Sequence, residues 1–260
     1  MVKKAYYILF ALMVLCVACE FKLKSNEEEE QRVRIEVQRY DRLESRYLTT
    51  GDFSALQQMN TDYPMETRML IEDMMKLGEV NDPEINSKFL RFFQDTLLQT
   101  IIMDAEAEFA NMKDINHDLD NAVTQLAKLL PGIQIPTFYT QIGALNQSIV
   151  VGEQTVGISL DKYLGENYQP YQRFYSEEQR RSMSRRFIVP DAISFYLLSL
   201  YPLKNYEEAT QDERDMHMGR VMWVTNKALG RPFFKTPFTA KVDSYMRQHP
   251  RTSMKSLLES

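Results

Sequence analysis

The chain has 260 residues, a formal net charge of −5 and no basic block, which argues against nucleic-acid binding, where phosphate neutralisation dominates affinity. Glycine is scarce at 9 residues while Met (15), Tyr (14) and Phe (14) are plentiful, a balance that favours helices over a glycine-turned β-sandwich. The length suits one domain with its own hydrophobic core.

The chain opens MVKKAYYILFALMVLCVACEF. Lys3 and Lys4 form a positive start, and Ala5 to Ala18 is unbroken apolar sequence. That run is short of the roughly 20 residues a membrane-spanning helix needs, and it has the length of a secretory leader. A buried N-terminal helix is the competing reading; the run has no polar face and charge follows at once. Cys16 and Cys19 are the two cysteines of the chain. A disulfide between them would lie in a segment expected to be removed. A Cys-x-x-Cys redox pair needs a βαβ context that the sequence lacks. The third reading is a lipoprotein box, cleaved before an acylated cysteine. Val17 and Ala18 place small residues before Cys19, whereas Leu15 precedes Cys16. Cys19 is therefore the expected lipidation site, carrying palmitate-type acyl chains, and two or more such chains hold firmly to a bilayer. Cys16, three residues before Cys19, departs from the usual leucine of such a box. Residues 1–18 read as the signal peptide and 19–31 as anchor and acidic tether, with KLKSNEEEEQ solvated. An export-to-surface signal is the alternative reading of that acidic stretch. Residues 32–260 read as a single globular domain.

VRIEVQR, from Val33, alternates as a half-buried strand does. DRLESRYL from Asp41 reads as a helix, and Gly51-Asp52 opens a second, FSALQQMN. Pro64 starts METRMLIEDMMKLG, with Gly78 as its expected stop. From Pro83 one long helix is expected to run to Met112, bending near Thr100. Asp118 to Leu130 is the cleanest helix, with Leu119, Ala122, Val123, Leu126 and Leu130 on one face; Pro131-Gly132 ends it. IQIPTFYTQI contains a short strand, and SIVVGEQTVGISLD is a hairpin around Gly152-Glu153-Gln154. An aromatic loop, KYLGENYQPYQRFY, follows. Ser176 starts a short helix, and PDAISFYLLSLYP is a helix apolar on nearly all sides, hence buried. Thr210 and Glu213 form a capping box for RDMHMGRVMWVTNKALG, closed by Gly230 and Pro232, and one or two helices fill Phe238 to Leu258.

Catalytic motifs are sparse. His117, His217 and His249 show no i, i+4 pair of the His-Glu-x-x-His kind, so no metal is expected. His217 reads as a surface or satisfied core histidine. GISLD lacks the second glycine of a nucleophile elbow, which leaves Ser159 as an ordinary strand residue. There is no P-loop and no Gly-x-Gly-x-x-Gly, so neither nucleotide nor other cofactor is expected. Asp161 follows a strand and Asp191 a helix-opening proline. Their plain readings are a turn cap and first-turn dipole compensation. Their sharper reading is a binding groove of Asp161, Tyr163, Tyr171 and Asp191 lined by the aromatic loop; plain packing of that loop over the hairpin competes with it. A non-standard catalytic site around the two aspartates is the third possibility.

GALNQSIVVGEQTVGISLDKYLG, then YQPY, FIVPDAISFYL and GRVMWVTNKALG, resembles the GldB family of Bacteroidota gliding-motility lipoproteins in order and spacing. RYDRLE and the DYP before a helix are similar as well, so the resemblance covers most of the chain after the tether. It implies a lipid-anchored envelope protein, periplasmic or surface-facing, that works with envelope protein partners; it supplies no catalytic residues. VGISLD followed by VPDAISFYL is also distantly similar to zincin-type predicted metallopeptidases, with Asp191 and Ala192 where a histidine motif would stand. A hydrolase with a degenerate site is thus the alternative to a non-catalytic binding or assembly protein. The expected fold is α+β and mainly α-helical, with helices packed around a small sheet containing a central β-hairpin, on a degenerate zincin-like core.

Overall fold

Polar residues on a buried helix face set the plan of the molecule. Helix α1, Tyr40–Thr50, buries Tyr40, Glu44, Tyr47 and Leu48 at helical spacing, and Asp41 beside them. Gly51 adopts φ 69° and returns its N–H to the Tyr47 carbonyl, a left-handed stop that glycine makes at least cost. The computed structural model describes residues 35–260, which pack as one compact unit. The leader, Cys19, the acidic tether and Val33 lie outside the described residues.

Asp52 caps α2, Phe53–Asp62, by accepting the Ser54 N–H. Pro64 opens α3, Pro64–Arg68, which widens into a π-helical stretch, Met69–Met74. The widening ends the helix before Gly78, which lies in the following loop at φ 136°. The sequence pattern predicts the stop at that glycine, four residues after Met74. The expected long helix is two, α4 (Ile85–Phe92) and α5 (Thr96–Glu108). The break falls at Asp95, not near Thr100, because the Asp95 carboxylate takes the N–H groups of Leu97 and Leu98 and starts a new helix. Helix α6, Lys113–Leu129, buries Ile115, Leu119, Ala122, Val123 and Leu126.

The sheet has three strands in the order β1 (Thr137–Gln141), β3 (Thr155–Ser159), β2 (Ile149–Val151). Strand β2 pairs antiparallel with β3 as the hairpin pattern predicts, and β1 lies parallel to β3 with Tyr139 opposite Gly157. A side chain at Gly157 would meet the Tyr139 ring at 2.5 Å, so this position has room only for glycine. Of the strand expected from Val33, the described residues form one bridge, Gln38 on Tyr139; just before it Ile35 N–H meets Asp120 and Val37 N–H meets Asn116 on α6.

After β3 come short 3-10 turns at Leu160–Lys162 and Gln169–Arg173, then α7, Glu177–Arg180, with a complete Ser176 capping box. Helix α8, Ile188–Leu200, buries Ile188, Ala192, Ile193 and Leu197; Phe195 and Leu200 remain exposed, so it is buried on most sides rather than all. Ser194 on α8 meets Thr225 on α9 at 3.1 Å. Helix α9, Gln211–Ala228, starts at the Thr210–Glu213 box as expected, and α10 (Pro237–Gln248) and α11 (Met254–Leu258) complete the chain. The molecule is mainly helical around a small mixed sheet.

Candidate functional site

The sheet positions the loop that follows β1. At its end, Glu44 from α1 accepts the Ile142 N–H at 2.7 Å, and Asp161, just past β3, accepts those of Gly143 at 2.8 Å and Leu145 at 2.5 Å. Two buried carboxyls thus hold three backbone donors of one loop. They stabilise Ala144 and Leu145 in the left-handed region, at φ 47° and 62°, a conformation that costs non-glycine residues about 1–2 kcal/mol each. Asn146 adds a bond to the Met74 carbonyl at 2.7 Å, so the π-helical end of α3 also fixes the loop. Backbone held in this way marks candidate functional sites.

Beyond the loop lies a cleft of 220 Å³ lined by Ser148, Lys162, Tyr163, Tyr175, Met183 and Asp191, of which Lys162 and Tyr175 bond the loop. Lys162 donates to the carbonyls of Leu145 (3.3 Å) and Asn146 (3.2 Å) and to Tyr175 Oη (2.9 Å). Tyr175 in turn donates to the Leu145 carbonyl, and the Lys162 ammonium sits 4.3 Å from its ring centre. Tyr163 Oη donates to Asp191 Oδ2 at 3.0 Å. Of the four residues singled out in the sequence, the structure therefore joins Tyr163 and Asp191 at the cleft. Asp161 and Tyr171 stand behind it. Tyr171 is buried, donates to the Asp161 carbonyl and accepts the Leu164 N–H at 3.0 Å, which makes it a brace for the chain between the two.

Burial governs the electrostatics. It pushes the Asp191 carboxyl up to about 7, against the opposing Tyr163 hydrogen bond. It pushes Tyr163 well up, helped by the Asp191 charge, and Tyr175 up to about 12, helped by Asp161. It lowers the Lys162 ammonium, and the Asp161 charge opposes that shift. Asp191 can thus exchange a proton, or accept a cationic or hydrogen-bonding group, near neutral pH. The first-turn position expected of Asp191 is present, and the cleft comes in addition to it. Lys162 and Ser148 were missed in the sequence. A lysine between Asp161 and Tyr163 reads as solvated, and its carbonyl partners are 16 and 17 residues away.

Replacing Asp191 by asparagine tests that shift. The folded value is raised above the unfolded one of about 3.9, so the stability linked to this proton is full below that pH and is lost as pH rises through about 7. Asp191→Asn is expected to match the wild type near about pH 4 and to exceed it by about 1–3 kcal/mol near about pH 8, after allowance for partial exposure. Thermal melts of both proteins across that range read the difference, and parallel curves would refute the shift.

Among the described residues no group of three or more His, Cys, Asp or Glu side chains is arranged to hold a metal ion. The histidines lie apart: His117 bonds Asn121 on α6, His249 stacks on Tyr245 at the end of α10, and His217 is buried in α9. His217 is thus a core residue and not a surface one; the Tyr201 carbonyl lies beside it outside good hydrogen-bond geometry, and burial lowers its pKa. Ser159 is buried and accepts from Gln141 Nε2 at 3.2 Å, as befits a strand-end residue.

Residues 22–232 match the family model described as gliding motility protein GldB, a span that takes in the whole sheet, the clamped loop and the Asp191 cleft. The chain belongs to the GldB family. GldB proteins form a gliding-motility lipoprotein family, and this member carries the family region through α9. No helix among the described residues is long and apolar enough to cross a membrane. No curated protein and no solved structure is significantly similar to the chain.

Proposed function

We propose that this GldB-family protein is a lipid-anchored envelope protein, acylated at Cys19, that serves by binding within a motility- or secretion-linked assembly. In this reading residues 1–18 are a signal peptide, residues 19–31 carry the anchor and tether, and the domain from residue 32 faces the periplasm or the cell exterior. The observation that carries the reading is the hydrogen-bond commitment of the cleft. Lys162 and Tyr175 are tied to backbone carbonyls, and Asp161 to backbone N–H groups, so these reactive side chains act as scaffold. Asp191 and Tyr163 are left as the recognition pair, in a cleft whose Lys162 and Tyr175 are anchored on the loop that two carboxyls hold. Rigid presentation of a small polar cleft favours recognition of a partner, because little ordering remains to be done on binding.

The test is a photo-crosslinker placed at Gln179 or Ser182, on the cleft rim, in the acylated protein in its native envelope. The expected result is a discrete envelope adduct that Asp191→Ala diminishes, with mass spectrometry showing lipid on Cys19. An unmodified Cys19, or adducts indifferent to Asp191, would overturn the proposal.

A further inference from the structure

Between Asn226 and Val242 the sequence places four cations, Lys227, Arg231, Lys235 and Lys241, and no acid, in a chain whose net charge is −5. The fold sets the first three around a groove of 830 Å³ between α9 and α10, whose floor is Trp223 and Phe234. This groove shares no lining residue with the Asp191 cleft.

Three features make it a prepared surface. Lys227, Arg231 and Lys235 are exposed, and the ammonium of Lys227 lies 4.6 Å from the centre of the Trp223 ring while Arg231 lies 5.7 Å from that of Phe233, so two of the three cations rest on aromatic faces. Asn226 clamps Phe234 through both ends of its amide, giving to the Phe234 carbonyl and taking its N–H at 2.8 Å each, which fixes the floor before anything binds. Asp243, the acid lining the groove, is engaged by Trp223 Nε1 at 3.0 Å, by Arg247 at 3.1 Å and, more loosely, by Lys227 at 3.9 Å. Lys227 thus shares Asp243 with Arg247, and Arg231 and Lys235 leave the groove a surplus of positive charge above a recessed apolar floor.

We infer that this groove docks an acidic segment of a partner protein, with an apolar side chain reaching Trp223 and carboxylates meeting Lys227, Arg231 and Lys235. Charge complementarity selects an anionic occupant, and the shape selects a peptide. Trp223 is 6% exposed and lies below the cations, so a flat layer of lipid headgroups would touch only the rim, whereas one side chain of an extended segment reaches the floor. A free phosphate would leave the apolar floor unused.

Trp223 is the one tryptophan of the chain, so its fluorescence reports on the groove alone. The probe is an acetylated heptapeptide of Glu and Asp around a central Phe, titrated into the folded protein. The expected result is a saturable change in Trp223 emission in the range of about 10–100 μM peptide, weakened roughly tenfold by the Lys227→Glu, Arg231→Glu double variant and by about 0.5 M salt. Unchanged melting and circular dichroism of the variant separate lost binding from lost folding. Asp191→Ala is expected to leave the titration unaltered, which keeps this groove distinct from the cleft. No saturable change by about 1 mM peptide, or equal binding of the same peptide with lysines for its acids, overturns the proposal. Sedimentation with phosphatidylglycerol vesicles that the peptide fails to reverse would also overturn it and assign the face to the membrane.

Discussion

Asp161→Ala is expected to destabilise the protein by about 3–5 kcal/mol, because it strands two inward-facing backbone donors at once. The carboxylate accepts Gly143 N–H and Leu145 N–H, and both lose that acceptor once the side chain is cut back. Each stranded donor costs about 1–3 kcal/mol, and the left-handed conformations of Ala144 and Leu145 lose the clamp that offsets their strain. The effect reaches the cleft as well. The Leu145 carbonyl is where Lys162 and Tyr175 converge, so a relaxed loop removes the anchor of both. Asp161→Asn keeps one acceptor and turns an amide N–H₂ toward the other donor, so about half of the loss is expected. Urea denaturation gives the magnitudes, and hydrogen exchange at the Gly143 and Leu145 amides shows whether opening is local. A loss below about 1 kcal/mol for Asp161→Ala would mean that the two bonds do not hold the loop.

This role of Asp161 also marks what a linear reading can and cannot reach. Local signals were legible. The Thr210–Glu213 box, the Asp52 cap and the hairpin about Gly152 rest on neighbours within a few residues, and the helices and strands stand where those neighbours put them. Asp161, Tyr163, Tyr171 and Asp191 were all picked out, yet only Tyr163 and Asp191 meet at the cleft. The partners that decide the matter are distant. Gly143 is 18 residues from Asp161, and Asp191 is 28 residues from Tyr163. Glu44 was invisible for the same reason: a glutamate in DRLESRYL reads as solvent-facing, and it is buried because Ile142, 98 residues on, needs its oxygen. Helix breaks suffered likewise. Phe93-Gln94-Asp95 carries no glycine or proline, so the break could be read only by recognising Asp95 as a cap in mid-pattern.

Glu44 is the position where ionisation and packing can be separated most cleanly. Its side chain is fully buried, Oε2 accepts the Ile142 N–H, and Oε1 has no donor among the described residues. Burial pushes its carboxyl well up, the nearby Asp161 and Asp41 charges push the same way, and only the Ile142 bond resists. A folded value raised above the unfolded one means that the stability tied to this proton is complete below the unfolded value and drains away as pH climbs toward the folded one. The drain is about 1.4 kcal/mol for each pH unit in that interval. Glu44→Gln removes the ionisation but keeps an oxygen for Ile142. The glutamine variant is therefore expected to be more stable than the wild type at neutral pH and to lose that advantage as pH falls to about 4.5. Glu44→Ala removes the ionisation too, but it strands the Ile142 N–H and opens a cavity, so it is expected to lie below Glu44→Gln by about 2–4 kcal/mol at every pH. Melting curves of the three proteins at matched pH values check both arms together. If glutamine and alanine were to destabilise alike at neutral pH, the carboxylate would have to be charged in the folded protein, and the buried proton assigned to Glu44 would be wrong.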